Sequence, residues 1–357
     1  MKATQQDISQ LDWLYAGRQP YYGELHDHSN SGQKGDGHNS LSEWKEGLAA
    51  LSMDFATIVD HRQVQHMYLP EWDSSIFIGG TEPGTRIKDC KAQDNQMHYN
   101  VLFFEPAQLE ALLADTPEFE FTGGQDGTFH YSSFERERFC RLIDTVKRLG
   151  GFFVHPHPKQ VMKSDDPLDY WFADETGLEV FYTCHQELDG TYTADNYKLW
   201  TDLLALGKRI WATAGNDEHR MPSNKALTTI FSPEKHSRAY LQQLRKGDFV
   251  CGGVGIRMCI GDTPMGGKCD FAGQRLVFSV GQFHKCLIKP GHVYRAELLS
   301  DAGVIFSSVI DPAQTACFAV DADRTCKFYR VEVFDITSNM RIAIGNPIWN
   351  LAEGKTK

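Results

Sequence analysis

The feature that most constrains this chain is the position of its histidines and acidic residues relative to its predicted strands. Through about residue 220, short apolar runs alternate with amphipathic helical patterns, which is typical of a mainly parallel sheet. The predicted strands lie near 22–28, 55–60, 76–81, 98–104, 152–155, 178–182 and 209–214. Nearly every one ends in, or carries, a residue type that binds metals. Because the carboxyl ends of parallel strands converge on one face, these side chains are expected to meet.

The first strand shows the pattern most clearly. His26 and His28 form an HxH pair at its end, and a side-chain period of two directs both imidazoles to one side. The candidates from all strands are His26, His28, His61, Glu82, His98, His155, His157, Asp217 and His219. Imidazoles and carboxylates without thiolates suit zinc, manganese or iron. So many donors exceed the needs of one ion, and they predict a polynuclear site with a bridging carboxylate.

The chain changes character after about residue 230. One more helix is predicted at 237–246, followed by a Gly-rich connecting segment at 250–267 and then by strand-like segments. Turn signals separate these segments at regular short intervals, which is typical of a small antiparallel β-sandwich. We therefore predict an α/β domain over 1–265 that carries the site, and a β-sandwich domain over 266–357.

Charge and cysteine content exclude several classes of function. The net charge of −11 argues against nucleic acid or an anionic membrane as the main partner. Neither a membrane-spanning apolar run nor an apolar leader is predicted. Nine cysteines without a CxxC pair predict reduced thiols rather than a disulfide framework or a thiolate zinc site. We expect a cytoplasmic protein with a small anionic substrate, and the sequence leaves open whether it forms a homo-oligomer.

Taken in order, these motifs resemble the polymerase-and-histidinol-phosphatase (PHP) superfamily over roughly residues 20–225. The matching segments are Gly23–His28 (GELHDH), Ala56–His61 (ATIVDH), Gly80–Glu82 (GTE), His98, Val154–Pro156 (VHP) and Gly215–His219 (GNDEH). The resemblance implies a distorted (βα)7 barrel and a site for two or three metal ions. The predicted sandwich, with segments 328–333 and 343–349, is similar to the carbaryl-hydrolase-type branch, which includes amide, ester and carbamate hydrolases.

The resemblance also implies how the ligands are divided. One ion would take His26, His28, Glu82 and Asp217; a second His61, His219 and one ligand after the first motif; a third Glu82, His98 and His155. The second ion's remaining ligand is the open point, because a Gly-rich insertion follows the first motif. We choose Asp36, and His38 is the alternative.

A site of this kind predicts a metal-dependent hydrolase with two or three divalent ions, either Mn, Zn or Fe. A hydroxide that bridges two ions is the expected nucleophile, because bound metal lowers the pKa of water to about 7. We predict a small phosphomonoester or phosphodiester as substrate. Hydrolysis of an amide, ester or carbamate at the same site is the first alternative. A non-catalytic metal-binding protein is the other.

Residues next to the ligands are the candidates for substrate binding. Arg62, Lys159 and Arg220 closely follow ligand motifs and are predicted to bind an anionic substrate. His157 is predicted to act as a general acid or to orient substrate, with support of His155 as the alternative. Asp60 is expected to hold a ligating histidine. Glu179, at the start of its strand, is left out of the predicted ligand set.

Overall fold

The computed structural model describes residues 2–32, 35–92, 94–116, 132–184 and 186–351. These residues form two compact units. One unit comprises the described residues of Gly23–Ala226 and Lys235–Arg245, and the other those of Met1–Tyr22, Leu227–Glu234 and Lys246–Lys357. No helix in the described ranges is long and apolar enough to cross a membrane.

The first unit is built on a six-stranded sheet. In spatial order its strands are Ile210–Gly215, Thr176–Tyr182, Phe152–His155, Asn100–Phe103, Phe77–Thr81 and Ala56–Ile58. Neighbouring strands run parallel, except that Asn100–Phe103 is antiparallel to the strands on both sides. Most residues of these strands are buried. This is expected, because strands with continuous apolar runs usually lie in a sheet that is covered on both faces. The predicted mixed α/β class is thus confirmed for this unit.

The segment that carries the HxH pair connects the two ends of this sheet. Asp27 forms parallel bridges both to Ile58, on one edge strand, and to Glu218, just beyond the other edge strand. The sheet is therefore curled, and His26 and His28 flank the bridging residue on the same side. The regular first strand is Gln19–Gly23, so it ends earlier than predicted. The seven-stranded form of the barrel stays a prediction.

Helices accompany the sheet of this unit. The α-helices are Leu41–Leu51, Pro106–Asp115, Arg136–Arg148, Pro158–Val161, Thr191–Ala205 and Ser237–Lys246, with short 3-10 helices at Gln65–Tyr68 and Pro167–Tyr170. A small sheet adds Gln96–His98, Gly84–Ile87 and Ser132–Phe134. A capping box starts helix Leu41–Leu51, with the Ser40 hydroxyl accepting from the Glu43 backbone N–H.

The second unit is rich in β-structure. Its larger sheet contains Gln19–Gly23, Thr228–Ser232, Phe249–Gly252, Met340–Gly345, Phe328–Asp335, Tyr294–Ser300 and Gly303–Ile310, with Lys268–Cys269 and Ile348–Asn350 attached. Its smaller sheet contains Thr263–Pro264, Val254–Ile260, Arg275–Phe283 and Ala316–Asp321. An α-helix at Gln5–Leu14 and a 3-10 helix at Lys285–Leu287 complete it. Strands of both sheets contribute to one buried apolar cluster, which includes Met258, Phe278 and Val331.

The chain passes between the two units several times, whereas the sequence predicted one boundary near residue 265. Hydrogen bonding between strands explains the difference. Thr228–Ser232 pairs with Phe249–Gly252, which in turn pairs with Met340–Gly345 near the end of the chain. Segments that were assigned to the first domain from local pattern are thus held in the β-rich unit by partners remote in sequence.

Candidate metal centre

Histidines and carboxylates from many parts of the first unit converge at the strand ends. Among the residues that the structure describes, three groups of side chains have ligand atoms within 4.8 Å of one another. They are His26, His28, Glu82 and Asp217; His28, Asp36, His61 and His219; and Glu82, His98 and His157. His28 belongs to the first two groups and Glu82 to the first and third, so the groups overlap.

Glu82 lies at the middle of the first group. Its Oε2 is 3.0 Å from His26 Nε2 and 3.2 Å from His28 Nε2. On the other side, Asp217 Oδ1 is 3.1 Å from His28 Nε2. Glu82 follows strand Phe77–Thr81 and Asp217 follows strand Ile210–Gly215, so the strand ends bring together residues that are far apart in sequence.

The second group contains Asp36. Its Oδ2 is 3.3 Å from His61 Nε2 and 3.2 Å from His219 Nε2, and its Oδ1 is 3.7 Å from His28 Nδ1. The other ring nitrogen of His61 faces the Glu82 carbonyl at 3.1 Å, and that of His219 faces the Asp217 carbonyl at 3.0 Å. Asp36 therefore stands where the ligand after the first motif was expected. The alternative, His38, lines the adjoining cavity.

The third group departs from the expected set. Glu82 Oε1 is 2.9 Å from both His98 Nδ1 and His157 Nε2, so His157 stands where His155 was expected. His155 is the last residue of strand Phe152–His155, and its Nδ1 faces the Tyr170 carbonyl at 3.3 Å. Burial lowers the pKa of His155 to about 3, which keeps its ring neutral.

A backbone turn explains this exchange. His157 lies beyond the end of its strand and has φ 27° and ψ 52°, in the left-handed region. Strand alternation therefore does not reach it, and its ring can approach Glu82 although His155 is only two residues away. The period-of-two rule holds for His26 and His28, which flank a residue bridged as in a strand, and fails for the second HxH sequence.

The contact geometry around His28 fits metal ions better than hydrogen bonds. Both ring nitrogens are buried and form no aligned hydrogen bond among the described residues. Yet carboxylate oxygens of Asp217 and Glu82 lie 3.1 and 3.2 Å from Nε2, and one of Asp36 lies 3.7 Å from Nδ1. Donors bound to one ion at about 2.1 Å are separated by about 3.0–3.4 Å. The short but misaligned contacts are what shared coordination predicts. The donor set, imidazoles and carboxylates, fits a divalent metal ion.

The electrostatics of the cluster lead to the same conclusion. Burial by itself lowers the pKa of His28, but Asp217 and Glu82 outweigh it and raise that pKa to about 9. Burial likewise favours the neutral form of Glu82, yet His26, His61 and His98 hold its pKa well below the ordinary value. Without a metal, the carboxylates thus draw protons onto the imidazoles, and a bound cation would supply that positive charge instead.

The predicted substrate-binding residues are placed differently from one another. Arg220 lines a cavity of about 510 Å³ together with Asp36, His38, Cys184, Asp217, Glu218 and His219. Lys159 lines a separate cavity of about 830 Å³, where its Nζ donates to the Ser164 carbonyl at 2.8 Å and lies over the Tyr170 ring. Arg62 is buried, with a positive φ of 53°, and lines neither cavity. Of the three, Arg220 is the one that lines the cavity beside Asp217 and His219.

Two residues that sequence reasoning did not include contact the groups. Glu179 Oε1 is 3.1 Å from His26 Nδ1, and the Tyr182 hydroxyl donates to Asp217 Oδ2 at 2.8 Å. Both come from strand Thr176–Tyr182. Glu179 was left out because it stands near the strand start, but the observed strand begins two residues before 178. A buried acidic residue in an apolar strand was the signal that could have identified it.

Asp60 is placed next to the cluster as a connecting group. Its carboxylate accepts from the Ser29 backbone N–H at 2.6 Å and from the Ser29 hydroxyl at 2.8 Å, and it faces His66 Nδ1 at 3.0 Å. Ser29 directly follows His28, and Asp60 directly precedes His61. These hydrogen bonds therefore hold the backbone after His28 to the backbone before His61. The expectation that Asp60 holds a ligating histidine is not met, because the histidine that it faces, His66, belongs to none of the three groups. Asp60 instead supports the backbone beside His28.

Comparison with known proteins gives distant structural similarity alone. No protein-family profile matches the sequence, and no curated protein matches it. A similar solved structure is a two-domain protein of Bacteroides vulgatus described as containing a predicted PHP-like metal-dependent phosphoesterase. The two are 13% identical with a TM-score of 0.43, over 92% of this chain and 95% of that one.

Two other solved structures are similar over part of the chain. An amidohydrolase from Chromobacterium violaceum with bound sulfate is 16% identical, with a TM-score of 0.36, over 56% of this chain and 87% of that one. The lesion-specific endonuclease PfuEndoQ of Pyrococcus furiosus is 11% identical, with a TM-score of 0.41, over 64% and 56%. PHP-like proteins thus occur among the structural neighbours, while the carbaryl-hydrolase-type branch stays a prediction. At these scores we draw no conclusion about activity from the neighbours.

Proposed function

We propose that this chain is a PHP-type metal-dependent hydrolase of a small phosphoester, with two or three divalent ions at the Glu82 cluster. The observation that supports it is the overlap of the three ligand groups. Glu82 offers one carboxylate oxygen to His26 and His28 and the other to His98 and His157. A carboxylate used in this way suits a bridging ligand between neighbouring ions.

Metal ions in such groups act as Lewis acids and lower the pKa of bound water toward neutrality. The chain's own residues would do the rest. Arg220 lines the cavity beside His219 and Asp217, so it is the group that would bind a substrate phosphate oxygen. Tyr182 holds the second oxygen of Asp217, which leaves Oδ1 directed at His28. Asp60 and Ser29 fix the backbone next to His28.

His157 has a different place in this proposal from the one predicted. Its Nε2 faces Glu82 in the third ligand group, which favours a ligand over a general acid. Asp36 is the proposed remaining ligand of the second group because it lies between His61 and His219. Amide, ester or carbamate hydrolysis, and metal binding without catalysis, stay the alternative outcomes of the test.

The test is turnover of nitrophenyl phosphate against nitrophenyl acetate, with the metal-stripped protein and after reloading with Mn²⁺. We expect phosphate ester hydrolysis that depends on Mn²⁺ and is lost in the His26→Ala/His28→Ala variant. Ester turnover that exceeds phosphate turnover and also requires metal would favour the amide, ester or carbamate alternative. Bound metal with turnover of neither substrate would contradict the hydrolase proposal and leave a binding protein.

A further inference from the structure

Glu179 is a buried acidic residue that serves two of the ligand groups at once. Its Oε1 is 3.1 Å from His26 Nδ1, and its Oε2 accepts the backbone N–H of His157 at 2.7 Å. It is 1% exposed. His26 belongs to the first ligand group and His157 to the third, so one carboxylate contacts a residue of each.

The contact to His26 determines which ring nitrogen can bind metal. When Nδ1 carries the proton and donates to Glu179, Nε2 has its lone pair directed toward Glu82, 3.0 Å away. Metal-binding histidines generally hold their other nitrogen in this way, and the partner raises the basicity of the ligating atom. Glu179 thus selects the tautomer in which His26 can act as a ligand.

The contact to His157 acts on the backbone. His157 is not a glycine, yet it adopts a left-handed backbone conformation, which is strained for a residue with a side chain. The charged hydrogen bond from its N–H to Glu179 opposes that strain. Because this conformation is what lets the His157 ring face Glu82, Glu179 supports the third group without contacting its ligand atoms.

A glycine on the neighbouring strand makes room for this carboxylate. A Cβ placed on Gly215 would lie 1.9 Å from Glu179 Oε1 and 2.7 Å from His26 Cβ. Any larger residue at 215 would have to displace the carboxylate from His26. The strand is otherwise an ordinary buried strand, so the need for glycine at this position comes from Glu179 and His26.

We propose that Glu179 is a positioning residue that couples the first and third metal groups, by fixing the tautomer of His26 and the backbone of His157. This proposal rests on one part of the proposed function, the binding of metal ions by the cluster. It does not depend on which reaction the protein catalyses. Glutamine at 179 has one acceptor oxygen, so it can satisfy only one of the two donors. Loss of the carboxylate should therefore break at least one of the two contacts and uncouple the first group from the third.

The experiment measures Mn²⁺ affinity and stoichiometry by equilibrium dialysis, and the visible absorption of the Co²⁺-loaded protein, for the full chain and three variants. Glu179→Gln should lower Mn²⁺ affinity by about 10–100-fold and change the Co²⁺ absorption bands. Gly215→Ala keeps the charge but displaces the carboxylate, and should have the same two effects. In the double variant the losses should be less than additive, because both changes remove one interaction.

Gly177→Ala is the matched control. Gly177 lies opposite Trp211 on the strand that carries Glu179, and the three atoms nearest to its added Cβ would be apolar atoms of Thr213, Val154 and Phe152. This variant should keep the wild-type Mn²⁺ affinity and Co²⁺ spectrum even if it is less stable. Wild-type affinity and spectrum in both Glu179→Gln and Gly215→Ala would overturn the proposal, as would equal losses in Gly177→Ala. Metal binding with these losses but without hydrolysis would overturn the proposed function alone, and a wild-type chain that binds no metal would overturn both.

Discussion

Each compact unit buries a glutamate among charged partners, and the two glutamates are balanced differently. In the β-rich unit, Glu332 Oε1 is 2.7 Å from Arg330 Nε and its Oε2 is 2.7 Å from Arg341 Nε. In the other unit, the described partners of the Glu82 carboxylate are all imidazoles. Burial raises the pKa of both carboxyls, and in both the neighbours outweigh it and lower that pKa.

The difference lies in where the positive charge comes from. Guanidinium groups are always charged, so the Glu332 cluster is complete within the chain. Imidazoles are charged only when protonated, so the Glu82 cluster is balanced either by protons or by bound cations. Two equally buried glutamates therefore indicate different roles: Glu332 stabilises the fold, and Glu82 is the proposed bridging ligand of the metal centre.

The largest effect is expected from removing the charge of Glu332. Glu332→Gln leaves Arg330 and Arg341 without their buried carboxylate, which should lower the free energy of unfolding by about 3–5 kcal/mol. Urea unfolding followed by circular dichroism measures this. Because the cluster is complete without metal, the loss should be the same with and without Mn²⁺. A loss that Mn²⁺ reverses would contradict the comparison.

The next effect is the pH dependence of the metal-free protein. The pKa of His28 is raised from its ordinary value to about 9, so its protonated form stabilises the folded state. That contribution is fully present below about pH 6.5 and is lost as pH rises through about 9. The chelated protein should lose up to about 3 kcal/mol of unfolding free energy over this range. A His28→Asn variant should show a flatter profile, and an equally steep one would contradict the assignment to His28.

The smallest effect concerns the cation at the edge of the Glu82 cluster. Arg220→Ala should raise KM for nitrophenyl phosphate by about tenfold or more, since a charged hydrogen bond contributes about 1.5–3 kcal/mol. Steady-state kinetics with Mn²⁺-loaded protein measures it. Lys159→Ala is the control, because the Lys159 ammonium donates to the Ser164 carbonyl in the other cavity. Equal KM increases in the two variants would contradict the proposal that Arg220 binds the substrate because it lines the cavity beside the Glu82 cluster.

Sequence pattern predicted the parts of the site that depend on strand ends. His26, His28, Glu82 and Asp217 meet because parallel strands finish on the same side, and that rule needs no knowledge of partners. It could not separate His155 from His157, because a left-handed residue after the strand changes the direction of the side chain. Nor could it assign a role to Glu179, which depends on a gap at Gly215 on another strand.

The fold was predictable to a similar degree. The alternation of strands and helices in the first 220 residues identified the α/β unit and all six strands of its main sheet, each to within two residues. The sequence was less informative about the extent of the β-rich unit. Strand Phe249–Gly252 pairs with Met340–Gly345, a segment about ninety residues further along the chain. Local periodicity indicates a strand but does not specify its neighbour.

The most direct measurement is the number of metal ions per chain, by elemental analysis after reloading with Mn²⁺, for wild type, Glu82→Gln and Glu332→Gln. Two or three ions in wild type and in Glu332→Gln, with at most one in Glu82→Gln, is the predicted result, because Glu82 belongs to two of the three groups. Fewer than one ion in wild type, or an unchanged count in Glu82→Gln, would contradict the claim that this glutamate organises a metal centre.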